Sequence, residues 1–158
     1  MSQSLNRSPA AVLLRAVEDA DLPILYEHQR DPEAAAMAAF PSRDWAAFTS
    51  HWDRIRANPS VINRTILVDG AVAGSIASFE QDGLREVGYW LDRQQWGRGV
   101  ATRALTAFLS VDRARPLHAH VVKHNIGSIR VLQKCGFSVT SASTGPDGLE
   151  ELLLTLPA

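Results

Sequence analysis

The apolar residues of the chain fall into short periodic blocks separated by turn-forming residues, and the period changes along its length. "VLLRAV", from Val12, has the pattern of a first strand. "DLPILYEHQR" predicts a helix with Asp21 as N-cap and Pro23 in the first turn, where a missing N–H is tolerated. In "RDWAAFTSHWDRIRAN", Trp45, Phe48, Trp52 and Ile55 recur at helical spacing, with Arg54 and Arg56 elsewhere. "RTILVDGAVAGSIASFEQDGLREVGYWL" then predicts three strands joined by tight turns at Asp69-Gly70 and Asp82-Gly83. Asp-Gly accepts the positive φ angles that match a two-residue turn to strand twist. From Gly99 the period is helical again, with Val100, Ala104 and Phe108 in one row and Ala101, Leu105 and Leu109 in the next. A strand "LHAHVV" follows, and a helix opens at Asn125 with Ile126, Ile129 and Leu132 on its apolar side and Gly136 at its end. Two last strands are expected around Phe137 to Ser141 and Leu149 to Leu156. Strands that meander early and cross over through a helix late predict an α+β layered domain.

The length of 158 residues suits one domain, here residues 11–158, behind a loose polar tail over residues 1–10. The tail "MSQSLNRSPA" has no apolar stretch of the kind an export signal needs. No apolar run reaches membrane-spanning length. A formal charge of −1 gives no general attraction to nucleic acid or to a membrane surface, so any anion site must be local. Cys135, the single cysteine, cannot form an internal disulfide and is read as structural. A cytoplasmic protein, monomer or homodimer, with no nucleic-acid or membrane partner is the expectation.

The stretch "DRQQWGRGVATRAL" draws the eye to a function. Gly97 and Gly99 stand just ahead of a helix start, with Arg98 between them. A helix N-terminus exposes unpaired N–H groups and about half a positive charge, and glycines ahead of it let successive amides converge on one anion. A pyrophosphate fits such a nest. A strand–helix turn that merely needs positive φ is the other reading. The loop lacks the Gly-Lys-Ser/Thr ending of a nucleoside-triphosphate loop, since Val100-Ala101 follow Gly99. It also lacks the third glycine of a dinucleotide fingerprint, since position 102 is Thr.

Gln94, Gly97 and Gly99 match the Gln/Arg-x-x-Gly-x-Gly/Ala cofactor loop of the GNAT acetyltransferase superfamily, which the chain resembles. "EVGYWLDRQQWGRGVATRAL" followed by "NIGSIRVLQKCGF" looks most like the branch that includes ribosomal-protein N-terminal acetyltransferases. The resemblance implies a GNAT-like mixed, mostly antiparallel twisted sheet of about six to seven strands with helices on both faces. It implies acetyl-coenzyme A as cofactor, with the pyrophosphate on the amides from Trp96 through Gly97, Arg98, Gly99 and Val100 to Ala101. Val87, Tyr89 and Leu91 would lie along the pantetheine arm, and Asn125 and Ser128 would meet it from the later helix. Gly88 would suit a bulge or close approach, or is simply a weak strand position.

With no metal-ligand spacing and no nucleophile triad, direct attack of an amine on the thioester is the simpler chemistry. Glu86 is the expected base, directly or through water, unless it is a solvated strand residue beside Arg85. The tyrosine that other GNAT branches place seven residues after the helix asparagine is Leu132 here. The resemblance moves the acid to Ser128, with Tyr89 as second choice. Arg130 and Lys134 are read as solvated, and His118 and His120 as sharing one strand face. The acceptor region would draw on Asp31, Phe40, Trp45, Trp52 and His120, although the aromatic row around Trp52 also reads as core. The acceptor is a protein N-terminal α-amine or a small-molecule amine. Two rivals keep the fold without the chemistry: a non-catalytic acyl-coenzyme A-binding module and a plain interaction domain.

Overall fold

Each Asp-Gly pair closes a tight hairpin, with both residues at positive φ (Asp69 50°, Gly70 85°, Asp82 52°, Gly83 80°), and these turns set the register of the sheet. The computed structural model describes residues 11–158; the expected polar tail lies outside them. The strands are β1 (Val12–Arg15), β2 (Ile62–Val68), β3 (Ala71–Gln81), β4 (Leu84–Leu91), β5 (Leu117–Val122), β6 (Ser138–Thr144) and β7 (Glu150–Leu156). They form one sheet in the order β1-β2-β3-β4-β5-β7-β6. Every neighbouring pair is antiparallel except β4 and β5. The helices are α1 (Leu22–Arg30), α2 (Pro32–Ala38), α3 (Trp45–Ala57), α4 (Val100–Val111) and α5 (Ile126–Lys134).

Strand alternation sends the helices to both faces. Neighbouring residues of β3 point in opposite directions: Ala73 joins the main core and Val72 packs on the other. The main core sets Val100, Ala104, Leu105 and Phe108 of α4 and Leu132 of α5 against Val87, Leu91, Leu117, Ala119 and Leu154. The second core gathers Leu22, Leu25, Phe48 and Trp52 from α1 and α3. Helix α4 is the crossover between the parallel strands β4 and β5.

Two local expectations are revised. Asp21 precedes α1 but makes no capping bond to it. Its carboxylate takes both ends of the Arg15 guanidinium (2.7 and 2.8 Å) and accepts from the Thr65 hydroxyl (2.7 Å) and the Glu18 amide (2.9 Å). A charge-assisted fork outcompetes a single cap bond. Helix α2 is additional, formed from a segment whose pattern gave no helix. Asp31 is its N-cap, accepting from the Glu33 amide (3.0 Å), and Pro32 starts it.

Candidate active site

The parallel pair β4–β5 is joined in register at one point only, Glu86 with His118. Beyond it the two strands part, although each stays paired along its outer edge. Helix α2 is strapped beside this opening. Arg93, just after β4, bonds Asp31 (2.6 Å) and Glu33 (3.1 Å), and His124 Nε2, just after β5, lies 3.1 Å from the Ala36 carbonyl. Two cavities flank the opening, of about 540 and about 480 Å³.

The larger cavity is built around the glycine loop. After β4, Asp92 accepts from the Gln94 amide (3.1 Å) and starts a single 3-10 turn. Gly97 and Gly99 then both take left-handed backbone, with φ of 74° and 75°. A Cβ at either would meet nothing within 4 Å, so conformation and not crowding calls for glycine. Gly99 is the N-cap of α4 and brings no side chain to cap it. Trp96, Gly97, Gly99, Val100 and Ala101 line the cavity together with Arg130 and Lys134, and no carboxylate lines it. The two basic residues are exposed, as expected, and sit one helical turn apart on its wall. Arg98 is turned aside to Gln95 Oε1 (2.7 Å), and neither it nor Gln94 lines the cavity; Gln95 does.

The smaller cavity holds the carboxylates. Glu86, Gly88, His120, Phe40 and Phe79 line it, with Asp82 and Glu151, and no lysine or arginine does. Glu86 is 3% exposed. Its Oε1 is 2.7 Å from His120 Nδ1, while Oε2 is buried with no hydrogen-bond partner. Val87, expected along the cofactor arm, lines this cavity and not the larger one, which Leu91 lines.

Tyr89, Asn125 and Ser128 line both cavities. Asn125 caps α5 by accepting from the Ser128 amide (3.3 Å). The Tyr89 hydroxyl lies 2.7 Å from Ser128 Oγ. Burial pushes the Tyr89 phenol above its ordinary pKa, partly offset by the hydrogen bond to Ser128. The two side chains weighed as acid are thus one hydrogen-bonded pair.

Other expected residues lie elsewhere. Asp31 caps α2 and pairs with Arg93, and lines neither cavity. Trp52 is buried in the second core. Trp45 packs edge-on to Tyr26 at 5.1 Å and stacks with Phe48 at 6.0 Å. Of the proposed acceptor residues, Phe40 and His120 reach the cavity. Phe79 was missed, although the two-residue turn at Asp82-Gly83 places it opposite Glu86 by simple counting. Glu151 had no signal short of the β5–β7 register. Cys135 rests near Thr106 Oγ1 (3.6 Å) and packs against the main core. Among the described residues, no group of three or more His, Cys, Asp and Glu is placed to hold a metal ion, and no helix is long and apolar enough to cross a membrane.

A parted parallel pair behind a glycine nest, inside this sheet order, agrees with the acetyltransferase fold that the sequence resembles. The chain belongs to the GNAT acetyltransferase family: the family described as "Acetyltransferase (GNAT) domain" matches residues 11–138. No curated protein sequence matches significantly. Among solved structures, aminoglycoside acetyltransferase AAC(6')-Ib in complex with coenzyme A has 22% identity and a TM-score of 0.75, over 92% of this chain and 95% of that one. Spermidine N-acetyltransferase from Vibrio cholerae, in complex with coenzyme A and spermine, has 12% identity and a TM-score of 0.79, over 91% and 94%. A GNAT-family acetyltransferase from Bacillus anthracis has 16% identity and a TM-score of 0.79, over 95% and 96%. At these identities the likeness is one of fold.

Proposed function

We propose that the protein transfers an acetyl group from acetyl-coenzyme A directly to a primary amine. The observation that carries this reading is the junction of two cavities of opposite charge at Tyr89 and Ser128. The cavity bearing Arg130, Lys134 and the glycine nest suits the cofactor's phosphates; the cavity bearing Asp82, Glu86 and Glu151 suits a cationic amine. Acetyl-coenzyme A supplies an acetyl thioester already activated for attack. The free edges of β4 and β5 offer N–H and C=O groups to an amide-bearing arm, as an exposed strand edge does. The hydrogen-bonded Glu86–His120 pair supplies the proton acceptor at the amine side. Tyr89, kept protonated by burial, and Ser128 are the donors at the sulfur side.

The "EVGYW" likeness favours a protein α-amine as acceptor, and the cavity equally admits a small-molecule amine. An α-amine with a pKa near 8 costs roughly 1.4 kcal/mol to deprotonate at pH 7, against more than about 4 for a lysine. The test is free-thiol release from acetyl-coenzyme A across N-terminal peptides, polyamines, aminoglycosides and amino acids. Amine-dependent release is expected. A thermal shift with coenzyme A but no release with any amine would favour a binding module instead; no shift at all would leave only the fold.

A further inference from the structure

We infer that His120, oriented by Glu86, is the group that takes the proton from the acceptor amine, so that Glu86 is a positioning residue and not itself the base. The inference rests on the transferase reading above and divides the labour within its acceptor cavity. Register brings the two side chains together. Glu86 pairs with His118, and His120, two residues further along β5, projects from the same face just where the strands part. The contact is short, 2.7 Å between Glu86 Oε1 and His120 Nδ1.

A carboxylate in its ionised form can only accept hydrogen bonds, and against it Nδ1 is the protonated ring nitrogen of this contact. That fixes the neutral imidazole with its lone pair on Nε2, a tautomer otherwise free to exchange. No hydrogen bond is made by Nε2 within the described residues, whereas the ring of His118, the other histidine on this face, is held by Thr155 at 2.9 Å. Access separates the partners further. The His120 side chain is 37% exposed in the cavity, and that of Glu86 is 5% exposed. An amine could reach the buried Oε2 of Glu86 only by displacing its surroundings, whereas the His120 side chain is already open to the cavity.

The proton balance closes. The amine nitrogen bonds to the thioester carbon as the carbon–sulfur bond breaks, its proton passes to Nε2, and the Tyr89–Ser128 pair supplies one to the sulfur. Once the products leave, solvent takes the proton from the imidazolium and returns one to the pair. The imidazolium formed stays against the Glu86 carboxylate, which stabilises it as a buried carboxylate does in other proton-relay pairs. The titratable groups lining the cavity with the ring are Asp82 from the β3–β4 turn, Glu86 and Tyr89 from β4 and Glu151 from β7, with Asn125 and Ser128 at the start of α5.

The experiment compares pH profiles of thiol release for wild type, His120→Gln, Glu86→Gln and His120→Gly, with coenzyme A thermal shift as the check on folding. His120→Gln should lower kcat about 10²-fold or more, within the range of general-base catalysis, and abolish the acidic limb. Glu86→Gln keeps an oxygen for the Nδ1 proton but no charge. It should retain a limb displaced to lower pH and lose less activity. Added imidazole should restore turnover to His120→Gly, which a merely structural histidine would not allow. Near-wild-type turnover in His120→Gln, or loss of the limb in Glu86→Gln with the limb kept in His120→Gln, overturns the assignment in favour of Glu86 as direct base. Absence of turnover in the wild type itself would instead sink the transferase reading, and this one with it.

Discussion

At the scale of single residues, the choice of acid turns on residue type and on what each hydroxyl meets. The family resemblance put Ser128 first, and Tyr89 came second because its alternation with Val87 and Leu91 reads as core. Both descriptions of Tyr89 hold: its ring packs beside the main core while its hydroxyl meets Ser128 at 2.7 Å where the cavities join. A phenol keeps its proton at neutral pH, and even with its pKa raised by burial it is the more acidic of the two hydroxyls. Tyr89→Phe should therefore lower kcat by about 10²-fold, and Ser128→Ala by less, with KM for acetyl-coenzyme A changed little in each. Steady-state kinetics of thiol release measure both. Equal, negligible effects would hand the role to water.

At the scale of elements, the positions of turns and caps were legible because their chemistry is local. Asp82-Gly83 determined its hairpin and thereby the pairing of Phe79 with Glu86. Asn125 determined the start of α5. Helix α2 escaped because its interior is alanine and methionine, too short for a periodic stripe, although Asp31-Pro32 is a sound helix opening. The contacts that join α2 to the site are long-range and left no trace in the local pattern. The glycine loop was legible in residue type, while its two readings needed the cavity to separate them. Gly99→Val tests the loop as an element. A β-branched residue is strongly disfavoured at a φ of 75°, so the amides ahead of α4 should lose their arrangement. The expected result is loss of the thermal shift given by coenzyme A, with a cooperative unfolding transition retained. An unchanged shift would remove the loop from the binding site.

At the scale of the whole molecule, the polar cluster at Asp21 ties β1, β2 and the start of α1 together in a place with no role in the chemistry. Asp21 is 2% exposed, and the Arg15 guanidinium, against the opposing effect of burial, lowers its pKa from 3.8 to about 2. A depressed carboxylate pKa contributes stability above the unfolded value and loses it as pH falls through the folded one. The contribution is about 2 kcal/mol at neutral pH and should vanish between pH 4 and 2. Asp21→Asn should thus lower the urea midpoint clearly at pH 7 and far less near pH 2.5. A penalty independent of pH would mean that shape and not charge makes the cluster matter. The sequence placed Asp21 at the right turn with the wrong task, because its partners Arg15 and Thr65 come from separate strands.

The lone rung between Glu86 and His118 also says something about what the molecule forgoes. Seven strands could in principle knit into an unbroken fabric, and each added stitch along this seam would make the chain more self-sufficient. Each would also consume an amide or carbonyl that a visiting chain of amides could grasp. The fold leaves its middle seam unsewn, and cohesion surrendered there is capacity kept for a guest.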